Sequence, residues 1–374
     1  MSIIASNFPV EGSFRCVVKD KDGNIKQDTG FIKNVVTTNG MYTLLGLTDR
    51  DSWIQSNGVP LSRTTNQVEQ NILNYCVVGD GLSVPNENDI KLSNIVSFSS
   101  SVKPGSATYV LEEPTDQLHP GFVKSTNSKT FLFEGIDNKN ISEVGLSSRI
   151  SSIKDAYCLL THANLVDGSG NNSTITVSKD DLFEVTYNFS VYININRTKG
   201  TFNLKKIVNG SEVNEEYEYI CQPYKVRNNI SSGYYIISDN GGPLFNAYPI
   251  LENETSIDSS YNISSLLDGC DYKSIDPMMA RVGERIPINE SYQSFNMTVD
   301  KNFNRISRKA TLWFYSKVND KNIRAWDISI LSNRIVLLNY MIVVKNKSTG
   351  LGIKKTDKQK WTVEHSISFS RMPK

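Results

Sequence analysis

Histidine is scarce in this 374-residue chain: there are three, His119, His162 and His365, and tryptophan supplies only four residues. His162 and His365 sit inside strand-like patterns with no cysteine or carboxylate at ligand spacing, and His119 lies beside Pro120 in a loop. All three therefore read as structural residues and not as metal ligands. A Gly-x-Ser-x-Gly elbow is absent, and Gly79-Asp80-Gly81 lacks both the lysine of a P-loop and the spaced acids of an EF-hand, so it reads as a backbone turn. The five cysteines, Cys16, Cys76, Cys158, Cys221 and Cys270, include no Cys-x-x-Cys pair, which argues against a zinc knuckle or a disulfide framework. Cys76 and Cys158 stand among apolar strand residues as small buried thiols, which fits assembly in a reducing cytoplasm. Neither charge is in excess: Lys plus Arg number 40 against 39 Asp plus Glu. That balance gives no general attraction to nucleic acid or to an anionic membrane. The longest apolar run, 335–344, is about half a bilayer span and contains Asn339, and the first residues do not read as a secretory signal. These gaps remove metal, cofactor, nucleic-acid and membrane chemistry from the expectation.

What the chain has in abundance is 38 Asn and 44 Ser, with 17 Tyr and 15 Phe, a mixture that favours turns and aromatic-rich strands over long helices. The clearest pattern lies at 183–193. Phe183, Val185, Tyr187, Phe189, Val191 and Ile193 fall on one parity and Glu184, Thr186, Asn188 and Ser190 on the other. Successive side chains of a strand point to opposite faces, so this segment predicts a sheet with one buried face. A second apolar run, 157–166, precedes it across an Asp-Gly-Ser-Gly-Asn-Asn-Ser-Thr turn.

Other segments extend the pattern. A strand at 13–18, a Lys-Asp-Gly-Asn turn at 21–24 and an extended run at 31–36 predict a hairpin. Thr38-Asn39-Gly40 is placed to cap a short helix bearing Met41, Leu44 and Leu45. Further strands are expected at 75–78, 130–135 and 141–146, giving about seven or more before residue 195, spaced for a sandwich and not for βαβ units. In the second half, 203–208, 215–222, 234–237, 294–299, 310–318 and 361–371 read as strands. Residues 244–265 read as irregular, and 323–338 is ambiguous between helix and strands. The fold class is therefore all-β, two antiparallel sandwich domains of jelly-roll or immunoglobulin-like type, at 1–195 and 196–374.

Two groups of residues invite a binding or catalytic role. Glu215, Glu216 and Glu218 are acids that glycosidic chemistry would use if a second carboxylate faced them, although a charged, solvated strand edge accounts for them more simply. Trp53 and the pair Tyr234-Tyr235 lie outside core phase and are the candidates for stacking on a sugar ring or a partner protein.

Five segments occur in an order that resembles the virion structural proteins of tailed bacteriophages, those of tail, tail fibre and collar. They are 30–40 (Gly-Phe-Ile-Lys-Asn-Val-Val-Thr-Thr-Asn-Gly), 75–85 (Tyr-Cys-Val-Val-Gly-Asp-Gly-Leu-Ser-Val-Pro), 141–146 (Ile-Ser-Glu-Val-Gly-Leu), 159–168 and 182–192. Ser291-Tyr-Gln-Ser-Phe, and Lys354-Lys-Thr followed by an alternating strand to Arg371, resemble the second domain of such proteins. The resemblance covers roughly 160 of the first 195 residues and rests on motif order. It implies an N-terminal sandwich that attaches to the virion, a non-enzymatic role in the tail or neck, repeated copies of the chain, and other tail or neck proteins as partners. It brings no catalytic residues, cofactor or metal. A tail protein that binds a host surface glycan or protein, and a glycan-degrading tail enzyme, are the alternatives.

Overall fold

The computed structural model describes residues 2–44, 54–58, 75–112, 122–149, 157–194, 198–226, 244–251, 291–299, 305–314, 321–332, 336–355 and 361–372. Among these residues the chain is all-β, with antiparallel sheets and one short helix. The first half contains β1 (Ser2–Lys19), β2 (Ile25–Asp28), β3 (Ile32–Lys33), β4 (Val35–Val36), helix α1 (Thr38–Leu44), β5 (Tyr75–Gly79), β6 (Ile95–Ser99) and β7 (Thr108–Glu112). There follow β8 (Phe122–Phe133), β9 (Lys139–Ile141), β10 (Glu143–Arg149), β11 (Tyr157–Leu159), β12 (Thr161–Asn164), β13 (Ile175–Val177) and β14 (Leu182–Asn194). The second half contains β15 (Thr198–Val208), β16 (Ser211–Val226), β17 (Leu244–Leu251), β18 (Ser291–Val299) and β19 (Arg305–Phe314). It ends with β20 (Lys321–Ser332), β21 (Val336–Asn346), β22 (Ile353–Lys355) and β23 (Trp361–Arg371). Among the described residues no helix is long and apolar enough to cross a membrane.

The first sheet runs β18-β19-β23-β1-β14-β8-β7, with β2 and β3 also paired to β1. A second sheet runs β4-β12-β10-β5-β6, with β11 on β10, and a third runs β15-β16-β21-β20-β17, with β22 on β20. Strand β14 follows its parity as far as Phe189: Phe183, Val185, Tyr187, Phe189 and Val191 are buried and Glu184, Thr186 and Asn188 are partly exposed, but Ser190, expected on the exposed side, is buried and bonded to Thr126 Oγ1 at 2.9 Å. From β1, Val10, Phe14, Cys16 and Val18 turn to the same interior. Cys76, Val78, Val144, Leu146 and Ala163 of the second sheet meet them in one cluster, which is the face-to-face packing of a sandwich. Cys16, Cys76 and Cys158 are free and buried, and burial pushes the Cys16 and Cys158 thiols up to about 12. They pack as small apolar groups and are not poised for reaction.

The run at 31–36 is not one strand. It breaks at Asn34, so β3 joins β1 in the first sheet and β4 joins β12 in the second, and the chain thereby crosses from one layer to the other. The helix is capped one residue earlier than Thr38. Thr37 Oγ1 accepts from the Gly40 amide at 3.2 Å and donates to the Leu159 carbonyl at 2.7 Å, which ties the helix start to the second sheet.

In the second half, residues 244–251 form β17 and not an irregular segment, and 323–338 resolves into parts of β20 and β21, two antiparallel strands. Strands β18, β19 and β23 continue the first sheet: β23 lies parallel to β1, with Phe8 opposite Phe369 and their ring centroids 5.6 Å apart. Hydrogen bonding thus crosses the position at 195 that divides the sequence into halves. Strands β15 and β16 form a long hairpin closed by Asn209 and Gly210, whose φ values of 51° and 81° make the turn that matches strand twist.

Candidate functional site

The outer face of the second sheet is covered by residues 80–94, which leave β5 and return as β6. Two features hold this segment down. One is a small apolar cluster of Val77, Leu92, Tyr157 and Leu159, with Phe98 against it. The other is ionic and centres on Glu143.

Glu143 opens β10 directly opposite Gly79 of β5 and Asn164 of β12, and it is fully buried. An isolated carboxylate in such a place would be very costly, so its partners explain its presence. Its Oε1 accepts from the amides of Gly81 at 3.1 Å and Asn94 at 2.9 Å. Its Oε2 accepts from the Ser93 amide at 3.1 Å and lies 3.2 Å from His162 Nε2. The other ring nitrogen of His162, Nδ1, lies 2.7 Å from Asp89 Oδ2, which also accepts from the Asn86 amide at 2.7 Å. Around this core, Ser142 Oγ donates to the Gly81 carbonyl at 2.7 Å, Asn164 Nδ2 to the Ser83 carbonyl at 2.9 Å, and the Leu92 amide to Tyr157 Oη at 2.9 Å.

With an acid on each side, both nitrogens of His162 can donate only when the ring is an imidazolium, so the site favours the protonated form. Burial pulls its pKa down, but the hydrogen bonds to Glu143 and Asp89 outweigh burial and hold it above 6.5. Burial pushes Glu143 up, but the bonds from His162, Asn94 and Ser93 outweigh it and hold the carboxyl below 4.5. The group is a buried carboxylate–imidazolium–carboxylate tie. Both oxygens of Glu143 and both ring nitrogens of His162 are engaged by chain atoms, which suits holding a segment in place.

The sign of the pH dependence follows. His162 has a raised folded pKa, so its contribution is full below pH 6.5 and is lost as pH rises through the folded value. Glu143 has a depressed folded pKa, so its contribution is present above 4.5 and lost as pH falls through its folded value. The denaturant midpoint of the whole chain should therefore fall on going from about pH 6 to about pH 9, apart from losses shared by a His162→Gln variant. Equal slopes in the two proteins would contradict the tie.

Gly79 and Gly81 prove necessary for a reason other than a turn. Neither has a left-handed φ. A Cβ on Gly79 would stand 2.6 Å from Glu143 Oε1 and press on the Asn94 carbonyl, and one on Gly81 would stand 2.5 Å from the same carboxylate oxygen. They are small so that the chain can wrap Glu143. Gly79→Ala is expected to cost about 1–3 kcal/mol by overpacking, measured by urea denaturation.

The segment also reaches beyond its own sheet. The Glu87 carbonyl accepts from the Thr38 amide at 2.7 Å and from Thr38 Oγ1 at 3.1 Å, at the start of α1. The Glu87 carboxylate lies 3.5 Å from Arg371 Nη1, and Arg371 Nε donates to the Val36 carbonyl at 2.6 Å. Residues 80–94 therefore join the second sheet, the helix and the end of β23.

Of the residues singled out in the sequence, Trp53, Tyr234, Tyr235 and His119 lie outside the described residues. Glu215, Glu216 and Glu218 lie on β16, and each faces a lysine: Lys206 at 2.6 Å, Lys347 at 2.8 Å and Lys345 at 3.3 Å respectively. At Glu215 the strand pairs with β15 alone, whereas at Glu216 and Glu218 it has main-chain partners on both sides. These are cross-strand pairs, and among the described residues the charged partner of each acid is a lysine and not a second carboxylate of the kind glycosidic chemistry would use. His162 does have carboxylate partners, which its sequence neighbourhood conceals. Among the described residues no group of three or more His, Cys, Asp or Glu is arranged to hold a metal ion. No family model matches the chain, and no curated protein or solved structure matches it either.

Proposed function

We propose that this chain is a non-enzymatic structural protein of a tailed-bacteriophage virion, in the tail or neck, present in several copies beside other tail or neck proteins. One observation carries the reading. The segments that resemble such proteins, 30–40, 75–85, 141–146, 159–168 and 182–192, lie in the sandwich and its covering segment, where Gly79, Gly81, Glu143 and His162 come together. The resemblance is thus concentrated in residues that keep a body rigid. The saturation of Glu143 and His162 by chain atoms supports a holding role over a chemical one. Among the described residues, strands β7 and β18 end the first sheet and β15 and β17 the third, and such outer strands offer main-chain donors and acceptors for contacts with neighbouring subunits.

The test is peptide mass spectrometry on virions purified through a density gradient, followed by a cryo-EM map of the particle. The chain should be present in a multiple set by the tail symmetry and should fit density there. Particles that assemble, infect and contain none of it would refute the reading.

A further inference from the structure

We propose that residues 80–94 are a proton-operated latch: protonated His162 holds the segment on the second sheet, and loss of that proton frees it together with its grip on α1 and β23. The inference concerns the chain itself and stands independently of any role in a virion. Its basis is geometric. His162 is 1% exposed and donates to two acids from different parts of the chain, Glu143 in β10 and Asp89 in the covering segment.

When the ring gives its proton to solvent, one nitrogen keeps a lone pair that points at a carboxylate oxygen. One of the two acids must then turn away. Glu143 keeps three backbone amides and no route to water, whereas the Asp89 side chain is 26% exposed and keeps one amide. Asp89 is the member that swings out, and the segment around it goes with it. Glu143 and Asp89 are the charged groups that face His162. Strands β4 and β5 and helix α1 carry no acidic or basic residue. Farther out in the segment, Asp80 accepts from Asn94 Nδ2 at 2.5 Å and Glu87 is paired with Arg371.

The raised pKa of His162 sets the direction: the closed segment binds the proton more tightly than the open one. Opening should then be insensitive to pH below 6.5, rise about tenfold per pH unit above it, and level off at the pKa of the closed state. The experiment is millisecond hydrogen exchange on the full chain between about pH 5.5 and 9, corrected for intrinsic exchange. The Gly81, Ser93, Asn94 and Thr38 amides are the reporters, and the β14 amides serve as an internal control. The reporters are expected to lose protection with rising pH while β14 does not. In His162→Gln the opening should become independent of pH. Asp89→Asn, at a partly exposed position, covers the case in which that variant does not fold, and its rise should end at lower pH. Reporter amides that follow β14 throughout, or a rise unchanged in either variant, would overturn the latch.

Discussion

Replacing Glu143 by leucine is expected to destabilise the protein by about 3–5 kcal/mol, the range for removing one partner of a buried ion pair. The magnitude follows from what is left behind. The imidazolium of His162 loses one counter-charge, and the amides of Gly81, Ser93 and Asn94 lose their common acceptor at a buried position. Each unmet buried donor costs about 1–3 kcal/mol before relaxation, so loosening of residues 80–94 must absorb part of the penalty. Glu143→Gln is an instructive second variant. Its carbonyl oxygen can still accept from Gly81 and Asn94, but its NH2 would face the Ser93 amide and His162, donor against donor. Urea denaturation followed by tryptophan fluorescence or circular dichroism measures both. A loss below about 1 kcal/mol for Glu143→Leu would mean that water satisfies these groups and that the tie is not structural.

The other large effect is expected at Tyr187, in the middle of β14. Its ring is fully buried, with the Phe14 centroid 4.6 Å away and that of Phe189 6.5 Å away, and its hydroxyl accepts from Asn34 Nδ2 at 3.3 Å. Gly12 makes room for it from β1, because a Cβ there would stand 2.9 Å from the tyrosine Cζ. Tyr187→Ala removes a large aromatic ring from the interface between the two layers and is expected to cost about 3–5 kcal/mol. Tyr187→Phe keeps the ring and loses the hydroxyl's hydrogen bonds with Asn34 and Thr161, for about 1–2 kcal/mol. The contrast separates packing from polarity at one site. Comparable losses in the two variants would place the energy in the hydroxyl and would count against the packing account.

The parts of the fold that were legible in the sequence are those where local pattern and tertiary environment agree. Strand β14 up to Phe189 and β1 up to Cys16 belong to this class, since their buried residues alternate there with more exposed ones, and the turn after β1 has its own Asp20 and Gly23 chemistry, although the strand that returns from it is 25–28 and not the expected 31–36. Strand β17 was not legible: Leu-Phe-Asn-Ala-Tyr-Pro-Ile-Leu has no alternation, and its proline argues against a strand that pairs on both sides. It pairs with β20 and ends the third sheet, where a proline is tolerated. The pairing of the β16 acids was hidden because Lys345 and Lys347 arrive from the end of the distant β21 and the residue just past it. The Glu143 site was hidden for the same reason, since His162 meets an acid 19 residues away and another 73 residues away. One signal for it was present. Glu143 and His162 each interrupt an apolar run, and two such interruptions in neighbouring strands are best explained by each other.

Strand β1 has a divided allegiance. Its earlier residues, to Val10, lie beside β23, and its later residues, from Val10 onward, lie beside β14. A chain built this way cannot complete its largest sheet by local steps, because Phe8 must wait for Phe369 while Val18 has long since found Phe183. Closure of that gap should be the slow event in refolding, and during the wait the half-paired ribbon would be open to capture by an identical ribbon from another molecule. Dilution and rapid assembly would then pull in opposite directions on the yield of correctly closed protein.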